Sequence, residues 1–430
     1  MTTRGNTLVI PVSLAIAVVL TLVLLAARVA AVPALSDPVS GTIPSSLTLS
    51  VPALYLVLAP LFTMWDGISM LSMTRLKGFL TGLVIFYLVW RLLHWMGVRR
   101  RGPGRGRWVT RWLREVGVLA ASFILLLTFL VVGALWHRPM LSLTGATPGD
   151  RVVDFHSHTN ASHDVAGTLM QDFDAEANLR WHSRAGFDAA FITDHNVVSG
   201  ESRVRSRESG VGSRESRGAT RETVLCPGIE VSAWRAHIVL LGDTLPVDRR
   251  RYNRSLESLL QLLETSERAY GSLSVASLPE YRRNHWTRLD TLIRAGLDGF
   301  EIVNASPKAN ELTRAERDTV IDLARAHNRS VLGVSDSHGW GATSMVWNLV
   351  SMPPTTPPAG VCGAVLDRLR NGFEAVRVVE RHRLRPDSWW PMALTPLGMV
   401  WETWRSMGWP LTGSWVLWIW LLWGLAHRRR

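Results

Sequence analysis

The sequence predicts an α/β domain, a parallel sheet or barrel, set between strongly apolar terminal regions. Three observations predict it. From about Asp150, short apolar runs alternate with helical stretches, the rhythm of β/α units. Nearly every such run ends in His, Asp or Glu, and in α/β barrels the reactive groups gather at the C-terminal ends of strands. Hydrophobic residues make up 47% of the 430-residue chain and are concentrated towards its two ends.

The apolar segments come first in order. Residues 7–27, "TLVIPVSLAIAVVLTLVLLAA", carry no charge and have bilayer-spanning length. They read as an uncleaved anchor or, given Ala-x-Ala-like sites near Ala31, as a cleaved signal peptide. Residues 47–65 form a weaker span interrupted by Pro52 and Pro60, whereas 78–97 and 116–136 are strong spans. Near the C-terminus, "LTGSWVLWIWLLWGLA" (411–426) is short, Trp-rich and followed by Arg428, Arg429 and Arg430. Much of the tryptophan lies at the edges of apolar runs, where amphipathic rings favour the membrane interface.

Charge sets the expected orientation. The formal net charge of +12 is almost wholly arginine, since Lys77 and Lys308 are the only lysines. A basic balance can signal nucleic-acid binding, but much of this excess lies beside apolar segments. The arginine-rich loop 99–114 and the arginine tail are expected to stay cytoplasmic. Residues 137–410 are then exported. Four N-terminal spans would place Met1 outside too, and a re-entrant 47–65 would return it to the cytoplasm. The expected organisation is a membrane region of three or four helices (1–148), a soluble-type domain (149–388) and a C-terminal anchor (389–430). Cys226 and Cys362 belong to no CxxC pair, which leaves one disulfide between them as the available pairing in an oxidising compartment.

Within the middle region, "RVVDFHSH" reads as a buried strand with polar residues at its end. "MQDFDAEANLRWHSRAG" reads as a helix stopped by its glycine. "FDAAFITDHN", "VLCPGIEVSA", "AHIVLLGD", "GSLSVASLP", "LDGFEIVNA" and "RSVLGVSDSH" continue the strands, and "AVLDRLRNGFEAVRVVE" closes the domain with a helix and a strand. Residues 199–222 repeat SRES and hold almost no apolar side chain, so they are expected to be a flexible insertion.

Strand spacing gathers the candidate ligands. His156 and His158 are two apart and so share one face of a strand. His163 follows a turn-like "TNAS", His195 ends "FITDH", Glu230 ends an apolar run and His237 begins the next. Asp336 and His338 repeat the two-residue spacing in "VSDSH". Any one of these histidines could be an ordinary core or surface residue. Together they are six imidazoles and two carboxylates at strand ends, ligands suited to zinc, manganese or iron. Eight ligands suit two or three divalent ions rather than one, an arrangement able to activate water and stabilise a leaving oxygen.

"DFHSHTNASHD", "ITDHN", "GIE", "DGFEIVN" and "GVSDSH", in that order, resemble the PHP (polymerase and histidinol phosphatase) superfamily over about residues 150–380. The likeness is to its stand-alone metal-dependent phosphoesterases, including the branch with carbamate- and ester-hydrolysing members. It implies a distorted (β/α)7 barrel, here flanked by transmembrane helices, with a metal cluster at the strand C-termini. It further implies that His156, His158, Glu230 and Asp336 hold one metal and that His163, His195 and His338 hold a second. The family more often has Asp in the slot of His163. Glu230 and His237 would reach a third metal, but Ser277 occupies the slot of that site's usual histidine, with His285 a substitute from the loop. The implied reaction is attack of a metal-bridging hydroxide on phosphorus or a carbonyl carbon.

Beside these, Asp154 and Asp194 precede ligands and are expected to orient them from behind, or else to form salt bridges in the barrel. Arg282, Arg283 and His285 follow a strand end and could grip a phosphate, or be solvated loop charges. Asn196 and Asn304 could touch substrate or cap loops. Three functions follow: a phosphoesterase acting on a small phosphomonoester or diester, an ester, carbamate or amide hydrolase on the same cluster, and an inactive metal-binding sensor or scaffold. The lipid bilayer is an expected partner. Predicted export and the lack of a polymerase region argue against a nuclease.

Overall fold

A computed structural model describes residues 12–43, 45–99, 108–198, 222–242 and 246–428. Of the expected insertion 199–222 only Glu222 is among the described residues, and Met1, residues 100–107, Arg429 and Arg430 also lie outside them.

The chain opens with α1 (Val12–Val29), β1 (Leu35–Ser36), β2 (Thr48–Ser50), α2 (Ala53–Val57) and α3 (Ala59–Ser69). Two long helices follow, α4 (Met73–Arg99) and α5 (Trp108–Leu135). Among the described residues two helices are long and apolar enough to cross a membrane, over Met73–Leu93 and Trp112–Leu135. Their apolar side chains find little protein cover: Leu125 is 71% exposed and Phe123 64%.

The weaker span expected at 47–65 is not a continuous helix. Pro52 precedes α2, Pro60 falls in the first turn of α3, and Tyr55, Ala59 and Phe62 are buried. Nor does the expected C-terminal span pass as purely apolar. In α15 (Trp409–Arg428) the indoles act as hydrogen-bond donors, Trp418 to the Val57 carbonyl at 2.7 Å and Trp415 to Thr63 Oγ1 at 3.0 Å. The apolar part of α1 is the shorter Ser13–Val29.

After β3 (Ser142–Thr144), which pairs with β2, comes the main sheet. Seven strands lie side by side in chain order: β4 (Asp150–Ser157), β5 (Ala189–Ile192), β6 (Val224–Ala233), β7 (Ala236–Leu241), β8 (Leu273–Ala276), β9 (Gly299–Asn304) and β10 (Ser330–Val334). Beyond β4 the sheet continues through β11 (Val346–Ser351) and β12 (Val376–Arg381) to β1. The far strand then curls back. Beyond the end of β10, Asp336 N–H donates to the His156 carbonyl at 2.9 Å, and His158 N–H to the Ser337 carbonyl at 3.0 Å. The fold is therefore mixed α/β on a curled half-barrel sheet.

Beyond β4, β11 runs antiparallel to both β4 and β12; within β4 to β10 the sheet departs from a uniform run of parallel β/α units at one strand. β7 runs antiparallel to both β6 and β8, because only Trp234 and Arg235 separate it from β6 and a parallel crossover needs a dozen residues or more. Arg235 takes a left-handed φ of 52° to make the turn. One consequence matters for the site: the start of β7, not its end, faces the same mouth as the ends of its neighbours.

Helices α6 (His163–Ala166), α7 (Ala175–Ala185), α8 (Arg249–Tyr252), α9 (Leu256–Tyr270), α10 (Glu280–Asn284), α11 (Leu289–Arg294), α12 (Arg314–Ala326), α13 (Val361–Leu369) and α14 (Thr395–Ser406) complete the described chain. α7 starts later than the sequence suggests because Asp174 caps it, accepting from Ala177 N–H, and it stops at Gly186, φ 92°. Cys226 on β6 and Cys362 on α13 form a disulfide across 136 positions of chain, which ties the closing helix to the sheet. Asp66 of α3 is buried and ion-paired with Arg138 and Arg381, each at 3.0 Å. Those pairs join the N-terminal helices to the sheet.

Candidate metal centre

Alternation along β4 puts Asp154, His156 and His158 on one face, and the rest of the mouth supplies their neighbours. His156 Nε2 lies 3.0 Å from His158 Nε2 and 3.1 Å from Glu230 Oε2. Asp336 Oδ1 is 3.2 Å from His158 Nε2 and 3.6 Å from His156 Nε2. Four ligand atoms of four residues thus converge. Metal bonds of about 2.0–2.2 Å place adjacent ligand atoms roughly 3.0–3.5 Å apart, so the spacing fits one ion held among them.

The tautomer of His156 agrees with that fit. Its Nδ1 faces Glu301 Oε1 at 2.6 Å, while the other oxygen of Glu301 accepts from Leu278 N–H at 2.8 Å and Asn304 Nδ2 at 2.9 Å. A proton on Nδ1 leaves the Nε2 lone pair aimed into the cluster, the arrangement of a metal-binding imidazole. Glu301 is fully buried. The strand motif "GFEIVN" contains it, and a lone carboxylate within an apolar strand is the signal that would have singled it out.

A second convergence adjoins the first. Asp164 Oδ2 is 2.7 Å from His338 Nε2 and 3.2 Å from His195 Nε2, and with His158 these residues form one group of convergent ligand atoms. His195 reaches the cluster because its backbone bridges to Glu230 in parallel fashion. Here the expected ligand changes. His163 is exposed, and although its ring stands 5.1 Å from that of His195, Asp164 occupies the place at the cluster. The available signal was the acid that directly follows His163 in the sequence. We expect Asp164→Ala to lower metal affinity by about 100-fold or more, beyond the roughly 10–100-fold cost of losing a mere supporting partner. His163→Ala should leave it within about twofold. Calorimetric metal titration of the two variants checks the contrast.

His195, Glu230 and His237 form a third group. His237 Nδ1 lies 3.0 Å from Glu230 Oε1 and 3.9 Å from Glu280 Oε2. Ser277, in doubt from the sequence, is committed elsewhere: its hydroxyl donates to Leu278 and Glu301. His285 is no substitute either, since its Nε2 faces the Trp234 and Arg235 carbonyls, both at 3.2 Å. The side chain that does approach is Glu280, whose Oε2 is buried without a hydrogen-bond partner.

The field of the cluster favours cations. Burial opposes a charge on His237, yet its hydrogen bond to Glu230 pushes it up to about 9. Burial likewise opposes His338, and the Asp336 carboxylate raises it to about 9. Burial and the neighbouring His338 push His158 down to about 4. An imidazole binds a metal only when deprotonated, so a metal at His237 or His338 would displace a proton held by the neighbouring carboxylates. The mixed nitrogen and oxygen donors suit zinc, manganese or iron.

The supporting acids hold backbone. Asp194 accepts from Thr159 N–H and Oγ1 at 2.6 and 2.7 Å, which fixes the loop after His158. Asp154 faces His182 Nε2 at 2.8 Å and accepts from Ser335 N–H at 3.0 Å, which fastens β4 to the end of β10. His182 had no sequence signal of its own, being one helical residue among others.

The expected substrate contacts are not at the cluster. Arg282 pairs with Glu316 at 2.8 Å, and Arg283 donates to the Lys308 carbonyl at 3.3 Å. Asn196, at φ 57°, exchanges hydrogen bonds with Ser232. Asn304 supports Glu301. None of Arg282, Arg283, His285 and Asn196 lines the cavity of about 820 Å³ onto which Asp164, His195, Glu230, His237, Asp336 and His338 open. Short α10 turns the two arginines towards α12 and solvent.

No family model and no curated protein matches the chain. Among solved structures, PsfC from Pseudomonas syringae PB-5123 is similar at 17% identity and a TM-score of 0.36, over 59% of this chain and 96% of that one. A second, from Bifidobacterium adolescentis ATCC 15703, bears the name "putative metal-dependent phosphoesterase" and is similar at 18% identity and a TM-score of 0.30, over 44% of this chain and 88% of that one. At such scores neither likeness bears on chemistry, which the cluster itself must carry.

Proposed function

We propose that the chain is a membrane-anchored, metal-dependent hydrolase of the PHP type, acting as a phosphoesterase on a phosphomonoester or diester. One observation carries the reading. His156, His158, Glu230 and Asp336 bring four ligand atoms within 3.0–3.6 Å of their neighbours at one mouth of the sheet, with Asp164, His195 and His338 beside them. Two or three divalent ions bound there would supply Lewis acidity and a nucleophile derived from water at neutral pH. The protein's own part is to hold the His156 imidazole in one tautomer through Glu301, to keep Glu230 and Asp336 ionised beside it, and to place the substrate in the adjoining cavity. Hydrolysis then joins water oxygen to phosphorus, breaks the bond to the leaving oxygen and returns the proton to the departing alcohol.

The membrane reading rests on α4 and α5, whose bare apolar surfaces need an apolar surrounding. Arg91 of α4 pairs with Glu115 of α5, and in sequence the two helices are joined by the arginine-rich segment. On the positive-inside expectation for the arginine-rich segment, we read 149–388 as lying outside the cytoplasm, between a membrane region (1–148) and a C-terminal anchor (389–430). The Cys226–Cys362 disulfide agrees with an oxidising compartment.

A second reading, hydrolysis of carboxylic esters or carbamates, is favoured by one feature: Lys308 is the only lysine or arginine among the described residues lining the cavity. Full-length protein should bind at least two metals per chain and hydrolyse bis-p-nitrophenyl phosphate, with both properties lost in His156→Ala. Activity confined to p-nitrophenyl acetate would select the second reading. Bound metal with neither activity would leave a sensor.

A further inference from the structure

The cavity at the cluster has two unlike ends. One is the polar mouth of the sheet. The other is walled by Leu76, Phe79 and Leu80 of α4 and by Leu130 and Ala134 of α5, and these lie in the two helices long and apolar enough to cross a membrane. Its volume of about 820 Å³ is near the upper end of sites for drug-sized ligands, roughly 300–1,000 Å³, and far beyond what a phosphate group alone needs. From Met73 to Leu80 the α4 wall rises about 10 Å. Lys308, exposed and on the same cavity, offers a cation beside the acid-rich mouth.

We propose that the substrate is a membrane lipid, a long-chain alkyl phosphoester or carboxylic ester whose polar group meets the cluster while its chain lies along α4 and α5. The inference rests on the hydrolase reading above and adds the substrate class to it. A small soluble substrate would leave the apolar wall unused. An amphiphile covers both ends at once, and it reaches the cavity sideways from the bilayer that α4 and α5 occupy. Lys308 pairs with the anionic head group, and the helices bury the chain.

The test uses the full chain in nanodiscs with Mn²⁺. Its substrates are p-nitrophenyl alkyl phosphates from methyl to dodecyl and, in parallel, p-nitrophenyl acetate to dodecanoate. In whichever series reacts, kcat/KM is expected to rise by roughly two- to fourfold per added methylene until the wall is covered. Long chains also partition into the bilayer, so two variants of the wall are compared: Ala134→Trp, which fills it, and Leu80→Asn at a half-exposed position. Both should flatten the gradient. A flat series in wild type, or a gradient equally steep in both variants, overturns the lipid proposal and leaves the hydrolase reading intact. If neither series reacts, binding of dodecylphosphonate against methylphosphonate decides. Tighter binding of the long ligand, lost in the variants, upholds the lipid site while the hydrolase reading fails; equal binding overturns the lipid site as well.

Discussion

Glu230→Gln is expected to abolish tight metal binding and to lower kcat by about 10³-fold or more, with the fold retained. Glu230 Oε2 stands 3.1 Å from His156 Nε2, 3.4 Å from His158 Nε2 and 3.2 Å from His195 Nδ1, and its Oε1 3.0 Å from His237. Among the described residues no other carboxylate faces so many imidazoles. Glutamine keeps the size but loses the charge, and its amide presents donors to imidazole nitrogens. Loss of a supporting partner alone typically costs roughly 10–100-fold in affinity or activity; loss of the shared carboxylate should exceed that. The backbone around it is pinned independently, since Asn196 N–H donates to the Glu230 carbonyl at 2.8 Å and Glu230 N–H to that of Asp194 at 3.2 Å. Metal stoichiometry, kcat and circular dichroism on one preparation check all three parts. Full metal occupancy in the variant would remove Glu230 from the centre of the cluster.

Asp66→Ala should do the reverse, leaving the ligands in place while destabilising the protein by about 3–5 kcal/mol, the usual cost of leaving a buried charge unpaired. Asp66 is 1% exposed. It pairs with Arg138 after α5 and Arg381 on β12, and accepts from Tyr55 at 2.8 Å and Thr343 at 3.3 Å. Alanine leaves two buried guanidinium groups facing the same gap. The effect is read as a lower denaturation midpoint in detergent, with metal content per folded chain unchanged. Since Trp65 and Ile68 of the same helix line the cavity, any loss of activity should follow unfolding rather than precede it. A variant as stable as wild type would show that other contacts join the helices to the sheet.

Much of the centre was legible because strands have a period of two. His156 and His158 declare a shared face by spacing, and apolar runs ending in polar residues marked the mouth, although Asp336 and His338 lie beyond the end of β10, with Asp336 at a left-handed φ of 44°. The failures have a common cause in helical and loop geometry. His163 and Asp164 are neighbours at the start of α6, and one residue on a helix turns a side chain by about 100°. Spacing therefore could not say which of them faces His338. Arg282 and Arg283 are near the mouth in sequence, but α10 directs them away. The antiparallel β7 was also beyond composition, because its hairpin is set by two residues and one left-handed φ.

By itself, then, the sequence determined a β/α succession from Asp150, the strand-end histidines and acids, and the apolar lengths of α4 and α5. Those are local properties, written in periodicity and in runs of one residue type. Tertiary structure alone decided that Asp164 stands at the cluster, that Glu280 approaches where Ser277 does not, and that Glu301 holds His156. It also decided that α4 and α5, which lie outside the β/α succession, wall the cavity onto which the cluster opens. The physical reason is that each of these depends on the curl of the sheet and the docking of α3, α4 and α5 upon it. They are long-range contacts, and no local pattern encodes them.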